Sequence, residues 1–144
     1  MNYKPGSEPG GFRGIKWGTD IKTLKDMKYL VSIPPYKEGY TIYSGDKDKL
    51  FFGKARVESI WYIFRYGKFC AIEIRADGTK EFEAFRDAIF KEYGEGQHQE
   101  RIGNLERWIW YGKITDMVVE YNLSNKETIF HMYSVKMQEE IEKE

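Results

Sequence analysis

Val57-Glu58-Ser59-Ile60-Trp61-Tyr62-Ile63-Phe64-Arg65-Tyr66-Gly67-Lys68-Phe69-Cys70-Ala71-Ile72-Glu73-Ile74-Arg75-Ala76 decides the fold class. Two runs rich in β-branched and aromatic residues flank Gly67-Lys68, the pattern of a β-hairpin. Glycine at the first central position suits a two-residue type II′ turn. That register predicts Ile63 opposite Ile72 and Trp61 opposite Ile74. One face then carries Trp61, Ile63, Cys70, Ile72 and Ile74, the expected core side. The other carries Tyr62, Phe64, Tyr66, Phe69 and Glu73.

A second pair of strands follows the same logic: Leu105–Tyr111 and Ile114–Asn122 flank Gly112-Lys113, and Thr128–Val135 supplies a last strand. Short aromatic strands are expected at 40–44 and 49–53, around the turn-like Gly45-Asp46-Lys47-Asp48. Two helices are predicted. The first runs over 19–30, with Thr19 as N-cap and Ile21, Leu24, Met27 and Leu30 at three-residue spacing, ended by Pro34-Pro35. The second runs over 79–93, with Phe82, Phe85, Ile89 and Tyr93 on one stripe and Gly94 as its C-terminal cap. Residues 94–103 read as a polar loop. Tyr66-Gly67-Lys68 and Tyr111-Gly112-Lys113 suggest two repeated helix-plus-strands units. The expected architecture is α+β: an antiparallel sheet with two helices on one face. It occupies 12–135, after a flexible leader at 1–11 and before a frayed acidic tail at 136–144.

Charge narrows the function. Basic and acidic side chains number 23 each, so the clustered positive charge that nucleic-acid binding needs is not expected. Residues 1–56 carry 11 basic and six acidic side chains, and the balance is reversed beyond them. The longest apolar run, Ile60 to Phe64, is far short of the ~20 residues a membrane helix requires. The polar, Gly- and Pro-rich start lacks the apolar stretch of an export signal. A soluble protein is expected, periplasmic or envelope-tethered if such a signal was trimmed and cytoplasmic otherwise.

Chemical constellations are sparse. Cys70 is the single cysteine, flanked by apolar residues, and reads as a small buried hydrophobe. His98 and His131 lack the converging ligands of a zinc site. Asp46-Lys47-Asp48 starts like a calcium loop, but the sixth and twelfth positions are Phe51 and Val57 rather than Gly and Glu. Gly112-Lys113 fails the phosphate-loop spacing, and no Gly-x-Ser-x-Gly is present. Glu81, Glu83, Asp87 and Glu92 interleave with Lys80, Arg86 and Lys91 on the second helix and read as solvated surface. No catalytic residue, metal or cofactor is expected, and the chain is not read as an enzyme.

Gly11-Phe12-Arg13-Gly14-Ile15-Lys16-Trp17-Gly18-Thr19, running into Leu24-Lys25-Asp26-Met27, resembles the opening of a group of small bacterial proteins of uncharacterised function. In that group a Trp-Gly-Thr or Trp-Gly-Ser element, aromatic hairpins and a helix ending in Tyr-Gly (here Tyr93-Gly94) follow one another. Its members are similar to exported or lipid-anchored envelope proteins. The layout also resembles small-protein-A and β-lactamase-inhibitor-protein-like modules, which bind other proteins. The resemblance implies no catalytic residues.

The aromatic load of the hairpins supports a non-enzymatic protein-interaction or ligand-binding domain. Its expected binding face is Tyr62, Phe64, Tyr66, Trp108 and Trp110, meeting a partner protein or a second copy. The alternative is a small-molecule enzyme or carrier with a helix–sheet pocket lined by His131, Glu73 and Arg75.

Overall fold

The central hairpin forms one residue out of the expected register. In a computed structural model, which describes residues 3–33 and 38–144 (the side chain of Ile33 excepted), its strands are Ser59–Arg65 and Lys68–Asp77. The turn is Tyr66-Gly67, and both residues have positive φ, 47° and 78°, as a type I′ turn requires. Phe64 pairs with Phe69, and a bulge then skips Cys70, so that Ile63 meets Ala71, Tyr62 meets Ile72 and Trp61 meets Glu73. A one-residue slip exchanges the faces of a strand. Ile72 and Ile74 keep the core side, but their partners are Tyr62 and Ile60 rather than Ile63 and Trp61.

In chain order the described elements are β1 (Gly11–Phe12), β2 (Ile15–Lys16), a single 3-10 turn (Ile21–Thr23), β3 (Met27–Ile33), β4 (Tyr40–Gly45), β5 (Phe51–Phe52), β6 (Ala55–Arg56), β7 (Ser59–Arg65), β8 (Lys68–Asp77), α1 (Thr79–Tyr93), β9 (Gln97–Ile102), β10 (Leu105–Trp110), β11 (Thr115–Asn122), β12 (Glu127–Ser134) and α2 (Val135–Glu142). Eight strands form one antiparallel sheet in the order β3-β4-β7-β8-β12-β11-β10-β9, and two small two-stranded sheets accompany it. The fold is therefore α+β with a dominant antiparallel sheet. Two meanders lie side by side, joined where β8 pairs with β12, and each is followed by a helix.

One face of the sheet is sealed. α1 lays Phe82, Phe85, Ile89 and Tyr93 on it, the stripe its periodicity predicts. Phe82 stacks on Tyr121 at 4.0 Å, and Phe85 meets Phe130 edge-on at 5.4 Å. Each such fully buried side chain contributes about 1.5–3 kcal/mol of transfer free energy. The β5–β6 hairpin closes one side of α1, with Phe52 against Phe85. There Gly53 runs so close that a Cβ would lie 2.7 Å from that of Ala88.

The N-terminal segment completes this cover. Tyr3 is buried and donates to the Thr115 carbonyl (2.6 Å), while Glu8 Oε2 accepts from the N–H groups of Ile114 and Thr115. Trp17 Nε1–H donates to Thr115 Oγ1 (2.8 Å), and the Trp17 ring packs on Phe69. Residues 3–11, read from the sequence as a leader, are thus tied to β11 and to the end of α1, where Lys4 N–H donates to the Tyr93 carbonyl.

The expected helix at 19–30 is not formed. Asp20 caps only the 3-10 turn, Leu24 is already extended, and β3 follows. Ile21, Leu24 and Met27 do pack against the core, but from an irregular arm; tertiary burial overrides the weak helical preference. Residues 27–33, rich in Tyr, Val and Ile, pair as the edge strand with β4. The loop at Pro34-Pro35 lies outside the described residues.

Residues 97–102, expected as loop, pair with β10 as the other edge strand. The acidic tail forms α2. Ser134 Oγ accepts from Met137 N–H at its start, Ile141 is buried, and Glu144 binds Arg65 through both carboxylate oxygens. Arg65, like Ile63 and Tyr40, points to the face opposite α1. The two helices therefore sit on opposite faces, not on one: α1 buries its apolar stripe in the main core, whereas the residues after α2 reach Arg65 on the other side.

Candidate functional site

Four of the five aromatic side chains expected to form a binding face are core. Relative exposure is 2% for Tyr62, 0% for Phe64, 7% for Trp108 and 0% for Trp110; only Tyr66, at 65%, is exposed, on the turn. The reason is the register. Trp108 and Trp110 share a face with Val119 and Met117, which lie under α1, and Trp110 Nε1–H donates to the Gly94 carbonyl that ends it. The aromatic excess fills the layer between sheet and helix.

The opposite face is the open one. Across β7, β8, β12, β11 and β10, one row reads Trp61, Glu73, His131, Val118 and Ile109, and the next reads Ser59, Arg75, Ile129, Glu120 and Arg107. All ten side chains are half-buried. α2 lies at one corner, over the side of the sheet that holds Arg65.

The three residues singled out for a small-molecule pocket, His131, Glu73 and Arg75, are brought together on this face. Glu73 Oε1 lies 3.5 Å from His131 Nε2, and Glu73 Oε2 accepts from Arg75 Nε–H at 3.1 Å. Arg75 also donates to Glu127 Oε1 (3.2 Å), and its guanidinium stands 5.8 Å from the centre of the Trp61 ring. Beside them Arg107 Nε–H donates to Glu120 Oε2 at 2.6 Å. Burial of the His131 ring lowers its pKa and outweighs the opposing pull of Glu73. Sequence reasoning missed Trp61, Glu120 and Arg107. The expected register turns Trp61 to the core, and the charged pair is visible only once β10 and β11 are aligned.

This group is a surface, not a pocket between helix and sheet. Clefts of about 850, 610 and 590 Å3 open elsewhere, and none is lined by His131, Glu73 or Arg75. Among the described residues no three His, Cys, Asp and Glu side chains converge to hold a metal. His98 stacks on Trp108 at 4.7 Å, with Glu106 nearby, and Cys70 is buried with its thiol directed to the Ile63 carbonyl. Glu81 accepts from the Arg56 N–H, whereas Glu83, Asp87 and Glu92 are exposed on α1. Among the described residues no helix is long and apolar enough to cross a membrane.

No protein-family model matches the chain, and comparison with curated proteins and with solved structures gave no match.

Proposed function

We propose that the chain is a non-enzymatic protein-binding domain whose recognition surface is the open sheet face around Trp61 and His131. The observation that supports this reading is the make-up of the face. Trp61, Arg75 and Arg107, with Tyr133 two residues beyond His131 on the same side of β12, are the residue types that most often dominate interface energetics, and here they stand on β-strands. The ion pairs Glu73–Arg75–Glu127 and Glu120–Arg107 hold the long side chains in place, so little rotamer freedom remains to be lost on association. Val118, Ile109 and Ile129 supply apolar area between them. The resemblance of residues 11–19 to bacterial envelope proteins supports an envelope location as part of the same reading.

A photo-cross-linking amino acid at Val118 or Ile129, in cells that make the protein, is expected to give one discrete protein adduct. The same amino acid at Asp87, on the solvent side of α1, should give none. Trp61→Ala should weaken capture by at least about tenfold, the range of an interface hot spot. Equal labelling from both surfaces, or capture indifferent to Trp61→Ala in a folded variant, would contradict the assignment.

A further inference from the structure

A second site lies at the end of the sheet, beside α2. The cleft of about 590 Å3 between the N-terminal segment, the β10–β11 turn and α2 is lined by Lys16, Lys68, Lys113 and Lys136. These four come from four separate segments of the chain: β2, the start of β8, the turn and the first turn of α2. A single carboxylate, Glu140, lines the same cleft. Lys68 is matched by Asp20 at 3.1 Å. Among the described residues, Lys16, Lys113 and Lys136 have no carboxylate within ion-pair distance. The nearby Glu8 holds two backbone N–H groups with one oxygen.

All four lysines are exposed at the rim of the cleft. Like charges lining one concave space, with low-dielectric walls beside them, raise the local positive potential and draw an anion. In a chain of zero net charge nothing in the composition requires it. Trp17, held by its bond to Thr115, supplies apolar wall with Ile114 and Met137, and Ser134 and two glycines complete the lining. The volume lies within the usual range for small-molecule sites, ~300–1,000 Å3.

We infer that this cleft binds a phosphate monoester carrying an apolar group, its phosphate among Lys16, Lys113 and Lys136 and its apolar part against Trp17 and Met137. A monoester carries about −1.5 to −2 charge near pH 7, which matches several unpaired ammonium groups better than a monoanion. The inference is independent of the open sheet face.

The test is titration of the full chain with 1-naphthyl phosphate, 1-naphthol and inorganic phosphate, followed by calorimetry. Vesicles of phosphatidylcholine with and without phosphatidic acid distinguish a lipid headgroup from a free ester. The expected result is saturable binding of 1-naphthyl phosphate, or of phosphatidic-acid vesicles, and weaker binding of both 1-naphthol and inorganic phosphate. The double variant Lys113→Gln/Lys136→Gln, at two exposed positions, should lose at least about tenfold in affinity with an unchanged circular-dichroism spectrum. Binding of 1-naphthol as tight as its phosphate, equal binding to plain phosphatidylcholine, no saturable binding, or unchanged affinity in the folded double variant would each overturn it.

Discussion

Trp110→Ala is expected to lower the unfolding free energy by about 3–5 kcal/mol, a large part of the ~5–15 kcal/mol typical of a domain. The indole is fully buried between β10 and α1. Phe90 meets it edge-on at 5.9 Å, and Gly96 passes so close that a Cβ would lie 2.7 Å from the ring. Truncation leaves a cavity and an unpaired Gly94 carbonyl at the end of α1. Tyr66→Asn, at the one exposed member of the same aromatic set, should change stability by about 0.5 kcal/mol or less. Asparagine followed by Gly67 is the preferred pair for a type I′ turn, and Tyr66 already has φ 47°. Urea unfolding of the two variants measures both. Near-native stability of Trp110→Ala would mean that the aromatic face lies at the surface after all.

Ending the chain at Ser134 is expected to raise the alkylation rate of Cys70 by up to about a thousandfold. Burial pushes the Cys70 thiol from its ordinary 9.0 up to about 12. That leaves about a thousandfold less thiolate near neutral pH, and the thiolate is the nucleophile. Cys70, Ile42 and Ile141 are buried but stand outside the main core cluster, on the α2 side of the sheet. Glu144 fixes the end of α2 to Arg65, whose guanidinium also lies over the rings of Tyr40 and Tyr66. Loss of α2 removes these contacts. Ile141→Asp, which places a carboxylate at a buried position, should have the same effect in the full-length chain. Iodoacetamide labelling at pH 8 reads the rate. An unchanged rate in a folded truncated chain would show that α2 does not shield this corner.

The elements most legible in the sequence are those with strong local signals. α1 spans Thr79–Tyr93 because Phe82, Phe85, Ile89 and Tyr93 form an unbroken stripe and Gly94, at φ 94°, ends it. The strands around both Gly-Lys pairs follow from their aromatic and β-branched runs. What failed was decided by distant contacts. A single bulge at Cys70 and a turn one residue earlier exchange the two faces of β7, and no local pattern distinguishes them when both faces are aromatic. The three-residue spacing of Ile21, Leu24 and Met27 is equally satisfied by an arm lying on a core. α2 is polar over most of its length, and one buried residue, Ile141, anchors it. His131, Glu73 and Arg75 were legible as chemistry-bearing residues. That they share a surface with Trp61 depends on strand order.

Fluorine NMR of the chain carrying 5-fluorotryptophan at its four tryptophans tests which face of the sheet is free. With a soluble gadolinium chelate, the Trp61 resonance should broaden, as should that of half-buried Trp17, while Trp108 and Trp110 stay sharp. Broadening of Trp108 and Trp110 with a protected Trp61 would reverse the faces and move the recognition surface to the side that α1 covers.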